Sequence, residues 1–561
     1  MAMLTRLGPL LAIGVLTVPV AFGLAGTLLP AFGFLPVLGG MRFSLAPLTA
    51  LFAEPAIFSS ALMSLVAGLA TALVSLVVVM LFTAAWSGTR AFARVQHLVS
   101  PLLSVPHAAA AFALAFLIAP SGLIARVISP ELTGWQRPPD LLIVHDPLGL
   151  SMMVGLIVKE IPFLLLVTLA ALPQVKPART RALIASMGYG RVAGFIFGLW
   201  PSIYPQIRLP VFAVIAFATS VVDVAVILGP TTPAPLAVRL VGWMNDPDLS
   251  LRYLASAGAL LQLFVTAVAI GLWILFERLA ARLRDRCALA GWRLRADAPV
   301  RWSALLLMLL SGGAIFAGLA TLALWSVAGL WQYPDVLPSS FGLRNWMRVL
   351  PHLAGPLGTT LLVGLASTLA AAIIAILCLA REDEMGHAPG RWAMALLYLP
   401  LVVPQVAFLF GLQLLFILSG VQATLTALVL AHLVFVLPYA YLSLKDPWRA
   451  FDRRYDQLAA GLGKGAWRRF LFVRLPMLTR PILAVVAIGF AVSVGLYLPT
   501  VLIGAGRLTT ITSEAVALGA GGNRRVIGIY AFLQMMLPAV GFAVATIVPA
   551  LIFRRLRDMQ V

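Results

Sequence analysis

Met187-Gly188-Tyr189-Gly190 is one of two matching stretches in this sequence, and Leu462-Gly463-Lys464-Gly465 is the other. A phenylalanine and a proline follow each stretch at the same spacing: Phe195 and Pro201 in the first copy, Phe470 and Pro476 in the second. The offset between the copies is constant, since 463 − 188 and 476 − 201 both give 275. A repeat on this scale indicates that one structural unit was duplicated along the chain.

The composition is that of an integral membrane protein. Of the 561 residues, 61% are hydrophobic and only 11% are charged, whereas soluble proteins are about half apolar and about one-quarter charged. Apolar runs of about 20 residues recur, and the backbone of such runs satisfies its hydrogen bonds as helix. The short alternating period of a membrane barrel strand is absent. We therefore predict an all-α fold embedded in the lipid bilayer.

The apolar runs predict about twelve transmembrane helices. They lie near residues 8–30, 57–84, 99–119, 149–172, 209–229, 252–276, 303–327, 356–380, 392–418, 422–444, 482–503 and 525–553. When the loops alternate from the first helix, the basic loops fall on one side, which the positive-inside rule assigns to the cytoplasm. The basic residues on this side include Arg90, Arg94, Lys176, Arg179, Arg181, Arg191, Arg449, Arg453, Arg454, Arg554, Arg555 and Arg557.

These basic loops account for the formal net charge of +20, so we expect no nucleic-acid partner. The apolar run after Arg6 is longer than the core of a cleaved signal peptide, and we interpret it as an uncleaved first helix. Both termini are then cytoplasmic. The predicted location is the bacterial inner membrane.

The repeat divides the chain into two units of six helices each. Residues 1–276 form the first unit, 277–302 a basic cytoplasmic linker and 303–561 the second unit. Because six is even, both units have the same orientation and form a parallel repeat. The first unit carries an extra predicted periplasmic segment at 131–148, which is either a lid or partner contact, or an ordered surface loop.

The duplicated stretches lie in cytoplasmic loops near 182–205 and 457–481. The two glycines interrupt a helix and permit a sharp turn between short helical pieces. Such a piece either docks in a groove on a partner or lies passively at the lipid interface. Two copies with one spacing favour docking. The candidate docking residues are Met187, Gly188, Tyr189, Gly190, Arg191, Phe195, Pro201, Leu462, Gly463, Lys464, Gly465, Trp467, Arg468, Phe470 and Pro476.

These loops resemble the EAA loop in permease subunits of binding-protein-dependent ABC importers. The family pattern is glutamate and two alanines, a glycine, and later a hydrophobic-x-x-proline, which Gly188 and Gly463 match together with Pro201 and Pro476. Two units on one chain resemble the fused branch that includes thiamine and ferric-iron permeases. The sequence departs from the pattern where the family has glutamate, since Ala182 and Gln457 stand there.

The resemblance implies the fold and the partners of a type I ABC importer permease. It implies two copies of an ABC ATPase subunit, one at each loop, a periplasmic solute-binding protein and a small solute. A phosphate-binding loop needs Gly-x-x-x-x-Gly-Lys followed by Ser or Thr, and Gly463-Lys464 is followed by Gly465. We therefore expect no cofactor in this chain, with ATP and Mg bound by the partner ATPase. The chain itself is expected to catalyse no reaction and to bind no metal.

Ionisable residues inside predicted helices are costly and usually face the interior of the bundle. One interpretation places them along an asymmetric translocation pathway, and the alternative is an interhelical ion pair such as Lys159 with Asp223. The lone His432 fits a hydrogen-bonded core residue better than a ligand contact. The candidate pathway residues are His107, Lys159, Glu160, Asp223, Gln405 and His432.

Arg524 and Arg525 lie in a predicted periplasmic turn. They either contact the solute-binding protein or anchor the following helix. Two other classes of protein remain open at this point. A twelve-helix secondary transporter also has two six-helix halves, and a membrane scaffold or sensor also recruits cytoplasmic partners.

Overall fold

The computed structural model describes residues 2–175, 177–387 and 390–552, and in these ranges the chain is helical without a β-strand. Lys176, Arg554, Arg555 and Arg557, which the sequence places in the cytoplasm, lie outside the described residues. The helices of the first half are α1 Ala2–Ala31, α2 Ala46–Ala53, α3 Ile57–Trp86, α4 Arg90–Val99, α5 His107–Ile118, α6 Leu123–Val127, α7 Leu150–Ala171, α8 Pro177–Ser186, α9 Arg191–Gly194, α10 Trp200–Ser220, α11 Asp223–Leu228, α12 Leu236–Asn245 and α13 Leu251–Leu289. Those of the second half are α14 Ala298–Val327, α15 Arg344–Met385, α16 Arg391–Val402, α17 Gln405–Leu418, α18 Leu425–Arg449, α19 Arg453–Gly461, α20 Ala466–Arg469, α21 Leu475–Met477, α22 Thr479–Gly495, α23 Leu498–Gly504, α24 Ile511–Gly519 and α25 Arg524–Ile552.

Within the described residues, ten helical segments are long and apolar enough to cross a membrane. Two further candidates are bent pairs, α16 with α17 at 90° and a short segment with α22 at 70°. If each bent pair is one span, the total reaches the twelve that the sequence predicts. The span predicted at 392–418 is bent between α16 and α17, because Pro404 lies at the bend and its ring removes a backbone donor.

Three other predicted spans have different limits in the structure. The span predicted from residue 99 begins at His107, directly after Pro106. The span predicted at 209–229 starts earlier, in α10, and is broken between Ser220 and Asp223. The span predicted at 482–503 is broken in the same way, between Gly495 and Leu498.

The backbone of the two halves follows the duplication closely. The break before α11 and the break before α23 are separated by the same 275 residues that separate the glycine motifs, since 498 − 223 is 275. Each docking loop also contains one wide π-type turn, Phe195–Leu199 in the first copy and Phe470–Arg474 in the second. Such turns are rare and are often retained at functional sites.

The first helix of each half packs mainly on the other half. Helix α1 contacts α17 and α15, whereas α14 contacts α5 and α3. Small residues permit this close approach, as at membrane helix interfaces generally. The carbonyl group of Phe408 occupies the space that a side chain on Gly23 would need, and Ala113 does the same at Gly318. Two large buried clusters therefore contain residues of both predicted units, 1–276 and 303–561.

The predicted linker at 277–302 is largely helical. Helix α13 continues to Leu289 and α14 begins at Ala298. Only residues 290–297 connect the two helices, and we call this stretch the linker segment.

Candidate functional site

Both docking loops make the sharp turn that their glycines predict. Gly188 has a φ of +79° and Gly463 a φ of +75°, a left-handed conformation that side chains disfavour. The second glycine of each motif, Gly190 or Gly465, is extended and precedes the short helix α9 or α20. The turn therefore separates α8 from α9, and α19 from α20, in equivalent ways.

The second docking loop presents apolar and cationic side chains to the surroundings. Leu462 is 78% exposed, Trp467 49% and Phe472 75%. Lys464 and Arg468 are also exposed. Apolar side chains ringed by charge are typical of protein contact surfaces rather than of a solvated loop.

The first docking loop presents less of its own side-chain surface. Met187 is 54% exposed. Tyr189 is only partly exposed, and its ring packs edge-on against Phe197 at a centroid distance of 5.7 Å. Pro201 lies in the first turn of α10, where a proline needs no backbone donor. Its counterpart Pro476 lies in α21.

Three predicted docking residues hold the loops onto their own bundle, and their part in a partner contact stays a prediction. Phe195 is 3% exposed and Phe470 is 8% exposed. The Phe470 ring lies 6.3 Å from that of Trp448. Arg191 donates from Nη2 to the carbonyl of Ser87 at 2.6 Å. The hydrophobic periodicity predicts that these residues matter but does not reveal which face of the loop they occupy.

The candidate pathway residues of the first half gather around a break between helices. His107 begins α5, and its Nε2 lies 3.0 Å from Oε1 of Glu160 on α7. The His107 side chain remains 33% exposed while that of Glu160 is 6% exposed. The ring of Phe217 lies 4.6 Å from that of His107. The buried Glu160 carboxylate thus contacts a histidine that is itself partly exposed.

Asp223 belongs to the same group. It is 7% exposed and lies near His107. The predicted ion pair of Lys159 with Asp223 is wrong, because the Lys159 ammonium donates to the carbonyl oxygens of Leu102 at 2.9 Å and Leu103 at 3.3 Å. The Lys159 ammonium therefore satisfies backbone carbonyl groups of the turn that precedes α5.

Tyrosines of the second half lie near the buried carboxylates of the first half. Tyr439 lies near Glu160 and Tyr398. Tyr497 lies near Asp223. Sequence reasoning missed Tyr398 and Tyr439. One feature of the sequence could have pointed to Tyr439. It follows Pro438, a proline inside α18 that corresponds to Pro162 inside α7 in the first half.

Gln405 and His432 have different surroundings. Gln405 is the first residue of α17, as His107 is of α5, and it is partly buried at the 90° bend. His432 is 1% exposed, and its two ring nitrogens lie 2.7 Å from Ser493 Oγ and 3.1 Å from Thr500 Oγ1. His432 is thus buried with both ring nitrogens bonded, as the sequence favours for a core residue, and its place in the pathway stays a prediction.

Arg524 and Arg525 form hydrogen bonds within the chain, and their contact with a solute-binding protein stays a prediction. Arg524 donates from Nη2 to Ser121 Oγ at 2.7 Å. Arg525 donates to the carbonyl of Gly329 at 2.5 Å. The nearby Arg126 is 4% exposed, with its guanidinium 4.8 Å above the Trp331 ring and bonded to the carbonyls of Gln332 and Asp335. Arg126 and Arg524 therefore join the two halves at the predicted periplasmic end, whereas Arg525 bonds within the second half.

The extra segment of the first half is ordered by its own polar contacts. His145 Nδ1 lies 2.7 Å from the carbonyl oxygen of Gly229. Asp146 accepts from the backbone N–H groups of Leu150 and Ser151 at 2.7 and 2.9 Å and so caps α7. Partial burial alone would raise the pKa of Asp146, but these hydrogen bonds outweigh it and lower the pKa.

Among the described residues, no three His, Cys, Asp or Glu side chains lie together in a way that would hold a metal ion. Cys287 is partly exposed and Cys378 is buried, and each is a free thiol.

Comparison with known proteins identifies the family. Residues 384–560 match the family described as binding-protein-dependent transport system inner membrane component. The chain is 31% identical over 507 residues, 90% of this chain and 91% of the relative, to the Escherichia coli (strain K12) inner membrane ABC transporter permease protein YnjC. It is 26% identical over 367 residues, 62% of this chain and 64% of the relative, to the thiamine transport system permease protein ThiP of the same organism. The chain therefore belongs to the family of inner-membrane permease components of binding-protein-dependent ABC transporters, and within it the chain is a permease and not an enzyme.

Proposed function

We propose that this permease forms the solute pathway of an ATP-driven importer and couples to separate ATPase subunits through its two docking loops. One ATPase subunit lies at each loop, so that two copies serve one chain. ATP and Mg bind to those subunits. A periplasmic solute-binding protein delivers a small solute to the opposite face, and both termini lie in the cytoplasm.

One observation carries this proposal. Two loops at duplicated positions make the same glycine turn. The second loop places exposed apolar side chains next to cations, as at Trp467 and Arg468, and the first exposes Met187. A secondary transporter has no use for such a duplicated surface. Membership of the ABC permease family also argues against that alternative and against a scaffold that does not transport.

The coupling follows from the connection of each loop to a pathway helix. The π-type turn Phe195–Leu199 runs directly into α10, which ends at the break before Asp223. In the second half the corresponding turn leads through α21 and α22 to the break before Leu498. When the ATPases close, movement of the two loops is passed along these helices to the breaks, as in rigid-body switching.

The solute is proposed to pass the group formed by His107, Glu160, Asp223, Tyr439 and Tyr497. Two carboxylates come from the first half and two phenols from the second, so the pathway is chemically asymmetric. The relative ThiP is named as a thiamine transport system permease protein. For this chain we propose a small solute that the group at the breaks recognises through hydrogen bonds and charge.

The test is reconstitution of the whole chain with its candidate ATPase and solute-binding protein in proteoliposomes. We expect two ATPase subunits to co-purify with each chain, and uptake to require both ATP inside and binding protein outside. Mass spectrometry of the ligand that co-purifies with the binding protein identifies the solute. Uptake driven by an ion gradient without ATP would contradict the proposal.

A further inference from the structure

The linker segment, residues 290–297, lies directly against the first docking loop. Three hydrogen bonds connect it to that loop. One joins two backbone groups, and two join a backbone group to a charged side chain. These are Gly190 N to the Arg293 carbonyl at 2.8 Å, Val192 N to Asp297 Oδ2 at 2.9 Å, and Arg295 Nε to the Gly188 carbonyl at 3.2 Å. Asp297 is 8% exposed and supplies a charged acceptor to the start of α9, where backbone donors lack helical partners.

The second docking loop has no equivalent cover among the described residues. A β-carbon placed on Gly463 or Gly465 would meet nothing within 4 Å. A β-carbon on Gly190 would collide with the Leu294 carbonyl. The two loops therefore have one backbone fold but unlike surroundings.

This difference removes surface from the first loop. Trp467, 49% exposed, corresponds to Val192, which is only 5% exposed. Arg468 is exposed and corresponds to Ala193, which is 1% exposed. By itself, the first loop lacks the exposed ring and the exposed cation that the second loop presents at these two positions.

The linker segment supplies the exposed apolar side chains and the exposed cations that the first loop lacks. Trp292 and Leu294 are each 58% exposed, and Arg293 and Arg295 are exposed beside them. Leu294 has a φ of +39°, an unfavourable conformation for a residue with a β-carbon. An exposed leucine held in that conformation fits a role in contact better than a role in folding.

We propose that the linker segment and the first docking loop form one composite contact surface for an ATPase subunit. In it, Trp292 and Leu294 supply the apolar contact and Arg293 and Arg295 the positive charge. The occupant is a second copy of the ATPase subunit that binds the second loop, because both surfaces combine exposed apolar groups with cations. This inference rests on the proposed function.

The composite surface also has a mechanical consequence. Asp297 immediately precedes α14, the helix of the second half that packs on α5 of the first. Trp86 Nε1 donates to the Arg301 carbonyl at 2.9 Å and fixes the start of α14 to the end of α3. An ATPase that moves the first loop therefore moves the first helix of the second half with it.

The experiment measures the two ATPase contacts separately in the full chain. A photo-reactive residue at Met187 or at Leu462 reports cross-linking to the ATPase subunit during titration. In the double variant Trp292→Ser with Leu294→Ser, we expect the ATPase concentration needed for cross-linking at Met187 to rise at least tenfold, while that at Leu462 stays unchanged. The reciprocal variant, Trp467→Ser with Phe472→Ser, reverses this pattern.

Trp392→Ser is the matched control, because Trp392 is 85% exposed on the same predicted side of the membrane but lies at the start of α16. It should leave both contacts unchanged. If the linker variant cross-links at Met187 as the wild type does, or loses both contacts equally, the inference is wrong. If the wild type shows no cross-link at either position, the proposed function itself fails.

Discussion

The carbonyl group of Leu294 occupies the space that a β-carbon on Gly190 would need. Gly190 has a φ of −60°, which any residue adopts, so only this close approach explains the need for glycine. We predict that Gly190→Ala separates the linker segment from the first docking loop. Hydrogen exchange measured by mass spectrometry in nanodiscs should show faster exchange across residues 290–297, because their hydrogen bonds to the loop are lost.

The duplication supplies the control for this variant. Gly465 has a φ of −64° and an open environment. Gly465→Ala should leave exchange of the linker segment as it is in the wild type. Equal exchange in Gly190→Ala and the wild type would show that the linker segment is not held by the loop.

The contact between His107 at the start of α5 and Glu160 on α7 predicts a loss of transport on substitution. Glu160→Gln removes the charge that faces His107 at 3.0 Å, and Asp223→Asn removes the second buried carboxylate. We expect each variant to lower the initial rate of ATP-dependent uptake by about tenfold or more, equivalent to about 1.4 kcal/mol. Uptake is measured in proteoliposomes with matched protein amounts.

ATPase binding should be unchanged in both variants, since the docking loops are intact. Normal uptake by both variants at normal protein levels would remove this group of residues from the pathway and leave it a structural contact.

The sequence predicts the long apolar helices and the glycine turns because these depend on local chemistry. A run of apolar residues must be helical in lipid, and the turns at Gly188 and Gly463 need a residue that tolerates positive φ. The break before Asp223 escapes such reasoning, because no proline or glycine lies between Ser220 and Asp223, whereas the matching break before Leu498 has Gly495 before it and Pro499 after it. Packing of the neighbouring helices, rather than local preference, decides where the helix ends.

The side of each loop that faces a partner is also beyond the sequence. Phe195 and Phe472 are both apolar, yet one is buried and the other exposed. Nor does any period in the sequence predict that residues 290–297 lie on a loop about 100 residues earlier in the chain. That contact depends on how α13 and α14 emerge from the bundle.

The contact between α1 and α17 predicts a loss of stability on small-to-large substitution. Gly23→Ala places a methyl group against the carbonyl of Phe408, and such overpacking costs about 1–3 kcal/mol. We expect a lower midpoint of thermal unfolding in detergent. Gly14, also in α1, is the control, because a β-carbon at that residue would meet nothing within 4 Å. Gly14→Ala should therefore not lower the midpoint.

The buried histidine predicts a stability effect without a transport effect. Ser493→Ala leaves His432 Nδ1 without its 2.7 Å partner, and an unsatisfied buried polar group costs about 1–3 kcal/mol. Thermal unfolding should shift accordingly, while the uptake rate per folded protein stays near that of the wild type. The exposed Ser303, changed to alanine, is the control and should shift the midpoint little. A selective loss of uptake in Ser493→Ala at unchanged stability would place His432 back in the pathway.

Coupling through the docking loops is tested most directly by removing the exposed apolar side chains of the second loop. Leu462, Trp467 and Phe472 are changed together to serine, and ATPase binding at that loop is measured with ATP-dependent uptake. The control variant carries serine at three leucines that are 82%, 69% and 68% exposed on the predicted periplasmic side, namely Leu132, Leu142 and Leu148. We predict that the loop variant loses one ATPase contact and nearly all uptake, while the control keeps both ATPase contacts. Full ATPase binding and full uptake by the loop variant would contradict coupling through these loops.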